Sequence, residues 1–276
     1  MVQIGDYNTL KIDRFTSVGA FLSDEDGFEV LLPNKYLRDD MELDQEIKIF
    51  LYNDSEDRPV ATTEIPFVTL NNFAYLKVKE TTDFGAFMDW GLEKDLLIPF
   101  KEQTAKMNEG GVYLVHLSFD EQTNRLVGSA KINQFLSKDI EGIEVGDEVN
   151  LFICDVTDLG RKVIVNNKYN GLIFRDRLIK PLRNGEEVKG YVEHIRQDGK
   201  IDISLAPIGV ERFDEFSNTV LEYLKLHGGE MELTDKSNPD IIRSRLGMSK
   251  KSFKKALGNL YKKKKVVLEN DKVTLI

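Results

Sequence analysis

The chain has 276 residues, 41% of them apolar, a length and composition that predict several small domains with their own cores. Its net charge of -9 argues against simple electrostatic attraction to nucleic acid, unless basic residues are concentrated locally. No run of 18 apolar residues and no leader pattern occurs, and Cys154 is the single cysteine, so we expect a soluble cytoplasmic protein with no membrane partner and no internal disulfide.

A short motif centred on a glycine occurs three times, with the glycines 66 and then 75 residues apart. The motif spans Val18–Phe21, Phe84–Phe87 and, in weaker form, Leu159–Lys162. An apolar pair ends 13 residues after each glycine, and a stretch of alternating polarity begins 28 residues after it. This period is too long for a solenoid unit, so it predicts a small domain copied three times, over 1–64, 65–137 and 138–205.

Each copy is predicted to be all-β. In the second copy, short alternating segments predict strands over 74–79, 84–90, 95–99, 112–119 and 125–130. Five short strands in a domain of this size favour a small closed barrel over a two-sheet sandwich. The three motif glycines lie inside strand patterns, where the missing side chain permits a sharp bend or a close backbone approach.

This arrangement resembles the S1 domain, an RNA-binding form of the OB-fold, and the resemblance is best in the second copy. Phe84 before the glycine, Phe87 after it and Arg125 on the last hairpin match the family pattern. The resemblance implies that the two rings stack on bases and that Arg125 meets phosphate. A base stacked on an exposed ring contributes about 1–3 kcal/mol, largely regardless of base identity. Single-stranded RNA is therefore the predicted partner, with Trp90 as a further candidate divided between core and rim.

The other two copies are less well equipped. The first keeps Phe21 and Arg58 but has Val18 as its leading residue, and its 15 acidic and 6 basic side chains would repel phosphate. A structural or protein-binding role is its alternative. The third copy lacks both aromatic residues and offers basic side chains that could hold phosphate: Lys162, Arg175 and Lys200.

Core packing is the alternative for every aromatic residue in a small barrel. Phe84 and Phe87 are three positions apart and would point to opposite faces of a regular strand. Both can be exposed only if Gly85 or Ala86 lies at a bend or bulge. For Arg58 and Arg125 the alternative is a solvated hairpin charge.

Beyond residue 205 the apolar period changes from two to about 3.6, which predicts helices. The predicted helices cover 213–226, 239–246 and a segment beginning near Ser249, and a hairpin with a polar turn at 269–272 follows. Ser237 or Asn238 is the expected cap of the second helix, and Gly247 is its expected stop. Three helices followed by a hairpin resemble a winged helix, which we assign to 206–276.

The charge is inverted in this last domain. Residues 241–268 hold ten Lys or Arg and no Asp or Glu. The third helix of a winged helix commonly enters the DNA major groove, but lysines bind any phosphate backbone with little base discrimination. We expect RNA rather than DNA, and a solvated helix face is the alternative. The candidate residues are Lys250, Lys251, Lys254, Lys255, Lys262, Lys263, Lys264 and Lys265.

Three S1-like copies followed by a winged helix resemble the bacterial conserved virulence factor B family of RNA-binding regulators. That resemblance implies post-transcriptional effects on gene expression. A DNA-binding transcription regulator and a protein scaffold on the ribosome or on an RNA-processing enzyme are the alternatives. An enzyme is the least supported class, because His116, His194 and His227 are scattered and no nucleophile, metal or cofactor motif occurs. We predict no cofactor and no metal.

Overall fold

The structure is a computed structural model that describes residues 2–178, 181–207, 213–269 and 271–276. The chain forms two compact units. The first comprises Met1–Ile143, Val149–Lys189 and His194–Ile203, and the second comprises Glu144–Glu148, Gly190–Glu193 and Ser204–Ile276. Within the described ranges, no helix is long and apolar enough to span a bilayer.

The first copy forms a closed five-stranded barrel. Its strands are β1 (Tyr7–Thr16), β2 (Gly19–Ser23), β3 (Glu29–Pro33), β4 (Glu46–Asn53) and β5 (Pro59–Thr62). They are joined in the order β1-β2-β3-β5-β4, and the parallel pair of β3 with β5 closes the barrel through Leu31 and Val60. Alternate residues such as Leu10 and Ile12 fill the interior, as the period of two predicts.

The second copy contains the five strands predicted for it: β6 (Phe73–Thr82), β7 (Gly85–Asp89), β8 (Leu96–Pro99), β9 (Val112–Asp120) and β10 (Arg125–Ser129). The hydrogen-bonded sheet runs β10-β9-β6-β7-β8 and stays open between its two edges, which differs from the expected full closure. The edge strands β8 and β10 nevertheless lie side by side. Gly128 of β10 has no side chain, and the side chains of Leu96 and Ile98 of β8 occupy the space beside it.

The third copy is again a closed barrel. Its strands are β11 (Glu148–Val156), β12 (Gly160–Val165), β13 (Tyr169–Phe174), β14 (Glu187–Ile195) and β15 (Lys200–Ser204), in the order β11-β12-β13-β15-β14. Here the parallel pair of β13 with β15 extends over three positions, from Asn170 to Leu172. The S1-like, mainly β architecture expected from the sequence is therefore confirmed.

The motif glycines share one backbone geometry. Each begins the second strand of its copy and has a φ of 149° to 154°, a region that side-chain-bearing residues rarely adopt. A Cβ at Gly19, Gly85 or Gly160 would meet the backbone carbonyl of the next strand. A threonine three residues before each glycine starts the turn, and this regular spacing was not used in the prediction. The threonines are Thr16, Thr82 and Thr157.

Trp90 belongs to a core that joins the first and second copies, so of its two expected places, core and rim, the side chain occupies the core. Its side chain is only 2% exposed and meets Phe50 and Tyr52 of the first copy edge-on, with centroid distances of 5.9 and 6.3 Å. The indole Nε1 donates a hydrogen bond of 2.6 Å to the carbonyl of Lys94. Aromatic residues of this size dominate cores, and the indole of Trp90 packs as one of them.

The C-terminal region is a winged helix, as expected. Its elements are α1 (Phe213–Leu226), β16 (Glu230–Met231), α2 (Pro239–Leu246), α3 (Lys250–Lys262), β17 (Val266–Leu268) and β18 (Val273–Leu275), and the sheet order is β16-β18-β17. The two-residue strand β16 was not predicted, and Leu226 at the end of α1 is 82% exposed. The predicted turn at 269–272 includes Asn270, which lies outside the described residues.

The ends of α2 follow capping chemistry. Asn238 accepts a hydrogen bond of 2.9 Å from the backbone N–H of Asp240, which satisfies one of the free donors of the first turn. Gly247 ends the helix in a left-handed conformation with a φ of 66°. Both predicted caps are therefore confirmed. Helix α3 follows and contributes Phe253, Leu257 and Leu260 to the core of this region.

Candidate nucleic-acid interface

The tip of the second copy presents two aromatic rings. Phe84 lies in the turn between β6 and β7 and is 75% exposed, whereas Phe87 is half-buried on β7. Both line a cleft of about 360 Å³. They share it because β7 begins only at Gly85, so that Phe84 is outside the regular strand. The register shift expected near the glycine occurs on the facing strand, between Val78 and Glu80.

The residue before each motif glycine is exposed in all three copies, but only the second copy has an aromatic residue there. Val18 and Leu159 occupy the matching positions. The rings after the glycine also differ. In the first copy the guanidinium of Arg14 lies 4.1 Å from the centre of the Phe21 ring, whereas the residue paired with Phe87 is Glu80. The Phe21 ring is therefore already covered by a cation, and the Phe87 ring is not covered in this way.

Arg125 and Lys94 converge on Asp57 of the first copy. The Nζ of Lys94 is 3.0 Å from Oδ1 of Asp57, and the guanidinium of Arg125 pairs with Oδ2. The hydrogen bond from Lys94, together with the charges of Lys94 and Arg125, lowers the pKa of Asp57. Asp57 is thus ionised at neutral pH and offsets part of the local positive charge. The side chain of Arg125 is about half exposed and keeps further N–H donors for a phosphate.

Arg58 is less well placed for phosphate. Its guanidinium pairs with Asp54 at 2.8 Å and with Glu56 at 2.9 Å, both in its own turn. Two carboxylates therefore compete with any phosphate for this one cation. Together with the covered Phe21 ring, this leaves the first copy with fewer uncommitted side chains at these positions than the second.

The third copy has cations and no exposed aromatic platform. Lys162 on β12 and Arg175 after β13 are exposed, and Lys200 at the start of β15 pairs with Asp198 at 2.8 Å. β12, β13 and β15 are neighbours in one barrel, with Lys162 and Lys200 on strands of this sheet and Arg175 just beyond the end of β13. Phe174 is half-buried with Arg196 5.4 Å from its ring centre. This surface suits phosphate contact without stacking.

Helix α3 carries a basic outer face. Lys251, Lys254 and Lys255 are exposed, Lys250 is half-buried, and Lys254 pairs with Asp235 at 3.4 Å. The exposed run Lys262–Lys265 begins at the end of α3 and continues into the turn before β17. Lysines at a helix C-terminus also favour the helix dipole, which gives this run a structural role as well.

Comparison with known proteins identifies the domains. The family model of the CvfB-like winged helix domain matches residues 218–275, and that of the S1 domain matches residues 4–64. A conserved virulence factor B from Staphylococcus epidermidis is 30% identical over 246 residues, which are 86% of this chain and 82% of the relative. The chain belongs to the conserved virulence factor B family. Its matched domains are of nucleic-acid-binding rather than catalytic types.

Two further matches, one protein sequence and one solved structure, cover nearly the whole of this chain. The Bacillus subtilis protein YitL is 29% identical over 273 residues, covering 96% of this chain and 91% of the relative. A crystal structure of a multidomain protein with nucleic acid binding domains from Streptococcus pneumoniae covers 99% of this chain and 98% of its own, with 23% identity and a TM-score of 0.42. The S1 match lies on the first copy, whereas the motif resemblance is best in the second.

Two titratable groups of this family member are core groups. His116 stacks on Phe135 with a centroid distance of 3.8 Å, and burial lowers the pKa of its imidazole to about 4. Cys154 is buried, and burial raises the pKa of its thiol to about 12. In the part of the chain that the structure describes, no group of three or more His, Cys, Asp or Glu is placed to hold a metal ion.

Proposed function

We propose that this conserved virulence factor B family member is a cytoplasmic, non-catalytic protein that binds single-stranded RNA and regulates gene expression post-transcriptionally. The exposed ring of Phe84 beside Phe87 at one cleft carries the proposal. Two rings with Arg125 nearby match the combination of stacking and charge used by proteins that bind single strands. The third copy and α3 would add phosphate contacts.

Single strands are favoured over duplexes by the nature of the platform. A ring on a loop tip can stack only on a base whose face is open, and bases in a duplex are already stacked on one another. The acidic first copy has Asp54, Glu56 and Asp57 in one turn, and these carboxylates would repel the phosphates of a nucleic acid that lay across it. We therefore expect affinity to depend strongly on the two rings.

Fluorescence anisotropy with labelled single-stranded RNA, single-stranded DNA and duplex DNA at two salt concentrations tests the proposal. Phe84→Ala with Phe87→Ala should reduce RNA affinity by about 1–3 kcal/mol, or about 5- to 150-fold. Phe100→Ala is the matched control, because Phe100 is also exposed and does not line the cleft. Circular dichroism checks the fold of each variant. Unchanged RNA affinity in the double variant would overturn the platform.

The winged helix supports a second candidate, a regulator that binds duplex DNA. Lys251, Lys255 and Lys262 lie at spacings that place them along one side of α3. Changing these three residues to Gln should reduce the salt dependence of binding, by a slope of about 0.7 to 0.9 for each phosphate that is no longer neutralised. The same change at Lys48, Lys106 and Lys236, which are also exposed, is the charge-matched control.

The nucleic acid that binds most tightly distinguishes the RNA-binding function from the DNA-binding one. Tighter binding of duplex DNA than of RNA, lost in the α3 variant, would favour the DNA regulator. Binding to none of the three nucleic acids would favour a protein partner, such as a ribosomal protein, and a scaffold role.

A further inference from the structure

Asn53, at the end of β4 in the first copy, is one of the residues that line the cleft of Phe84 and Phe87, and its side-chain amide is buried in the cleft wall. The residue is only 4% exposed. Its Nδ2 donates hydrogen bonds of 3.3 Å to the backbone carbonyls of Asp57 and Asn124. Its Oδ1 is also buried and has no hydrogen-bond partner among the described residues.

The two carbonyls fix the orientation of this amide. Carbonyl oxygens only accept hydrogen bonds, so the nitrogen must face them, and a reversed amide would place Oδ1 against two acceptors. The unpaired group is therefore an acceptor. Buried polar atoms in native proteins nearly always have partners, so the unpaired Oδ1 of Asn53 beside the cleft is an acceptor that a donor on a bound ligand would satisfy.

The cleft provides the other contacts that a nucleobase needs. Phe84 and Phe87 supply ring faces, and Asp57 adds a carboxylate to the same wall. Asp57 is already paired with Lys94 and Arg125, so Asn53 Oδ1 is the acceptor of this wall that a base could satisfy. Adenine and cytosine each carry an exocyclic amino group with two N–H donors. Uracil instead presents two carbonyl oxygens on either side of a single N–H, so it brings fewer donors to Asn53 Oδ1.

We propose that this cleft is a base-selective site shared by the first and second copies, in which Asn53 Oδ1 accepts a hydrogen bond from the exocyclic amino group of a stacked base. The inference rests on the proposed RNA-binding function. It gives the acidic first copy a direct part in recognition. Because Oδ1 is closed to water, the base reaches it only when the wall moves. Arg125 directly follows Asn124, whose backbone carbonyl accepts a hydrogen bond from Asn53 Nδ2. A phosphate that pairs with Arg125 and moves it outward would therefore also move this part of the cleft wall.

A combined change of ligand and protein tests this hydrogen bond. Two RNA oligomers are compared that differ at one central position, where one carries adenosine and the other purine riboside, which keeps the rings and lacks the amino group. Removing the amino group should lower the affinity of the unmodified protein about 5-fold, the effect of one lost hydrogen bond. With Asn53→Ala the two oligomers should bind within about twofold of each other.

The ratio of the two affinities separates recognition from stability. Ser55→Ala, an exposed change in the same cleft, should leave the ratio at its original value. Equal binding of both oligomers by the unmodified protein, which needs no variant to fold, would overturn the inference. So would an unchanged ratio in Asn53→Ala. Failure of the proposed function has a different signature, because RNA affinity would then be insensitive to Phe84→Ala with Phe87→Ala.

Discussion

Replacing Gly85 with alanine tests whether the motif glycine is required by a close backbone approach. Gly85 has a φ of 149°, and a Cβ on it would lie 2.9 Å from the Cα of Pro99 and closer still to the carbonyl oxygen of Ile98. Both are backbone atoms of β8, so neither can rotate away as the end of a side chain would. The alanine can be accommodated only if β7 and β8 separate where Gly85 pairs with Pro99.

The expected loss of stability follows from two contributions. The unfavourable φ costs an alanine about 1–3 kcal/mol. Separating the strands removes one or two backbone hydrogen bonds, at about 1 kcal/mol each, together with some packing. We therefore expect Gly85→Ala to lower the free energy of unfolding by about 3 kcal/mol or more. Gly110→Ala is the matched control, because Gly110 has a φ of 76° and open space where the alanine methyl would lie, so it carries only the first contribution.

Urea denaturation followed by tryptophan fluorescence measures this difference. Trp90 is the only tryptophan and is buried one residue after β7, so its emission reports on the affected part of the fold. Gly19→Ala and Gly160→Ala should show losses of similar size, because their geometry is the same. A loss for Gly85→Ala no larger than that for Gly110→Ala would refute the close-approach explanation.

Three further predictions concern buried groups. Trp90→Ala should lower the free energy of unfolding by about 3–5 kcal/mol and Trp90→Phe by clearly less, measured by circular dichroism in urea; equal losses would contradict the packing described for the indole. Stability should fall as the pH drops from about 6.5 to about 4, because the unfolded chain binds a proton that buried His116 does not, and His116→Phe should reduce this slope. Cys154 should react with a thiol reagent far more slowly in the native protein than in urea, and similar rates would argue against its burial.

The sequence was sufficient for the elements themselves. The five strands of the second copy and the caps of α2 follow from alternation, turn residues and capping chemistry, which are local properties. The burial of Trp90 is different, because the core that encloses it contains Phe50 and Tyr52 from another copy. Alternation within one copy indicates which residues face inward, and it carries no information on which outer surface a neighbouring copy will cover.

The charge pairing of the candidate site was hidden for the same reason. Arg125 and its partner Asp57 are 68 residues apart, and no local pattern joins them. The threonine before each motif glycine, by contrast, was present in the sequence at a constant spacing. It would have indicated that Phe84 lies in a turn rather than in a strand, which removes the difficulty of having two exposed rings three residues apart.

The three copies separate the requirements of the fold from those of binding. A threonine and a glycine close the same turn in each copy, and the turn always exposes the residue before the glycine. Because the threonine and the glycine alone meet the conformational requirements of the turn, the exposed residue is free to vary. It is Val18, Phe84 or Leu159. A platform for bases therefore needs only an aromatic residue at this position and no cation over the neighbouring ring. The second copy alone meets both conditions, which is why we propose base stacking for it and a supporting part for the other two.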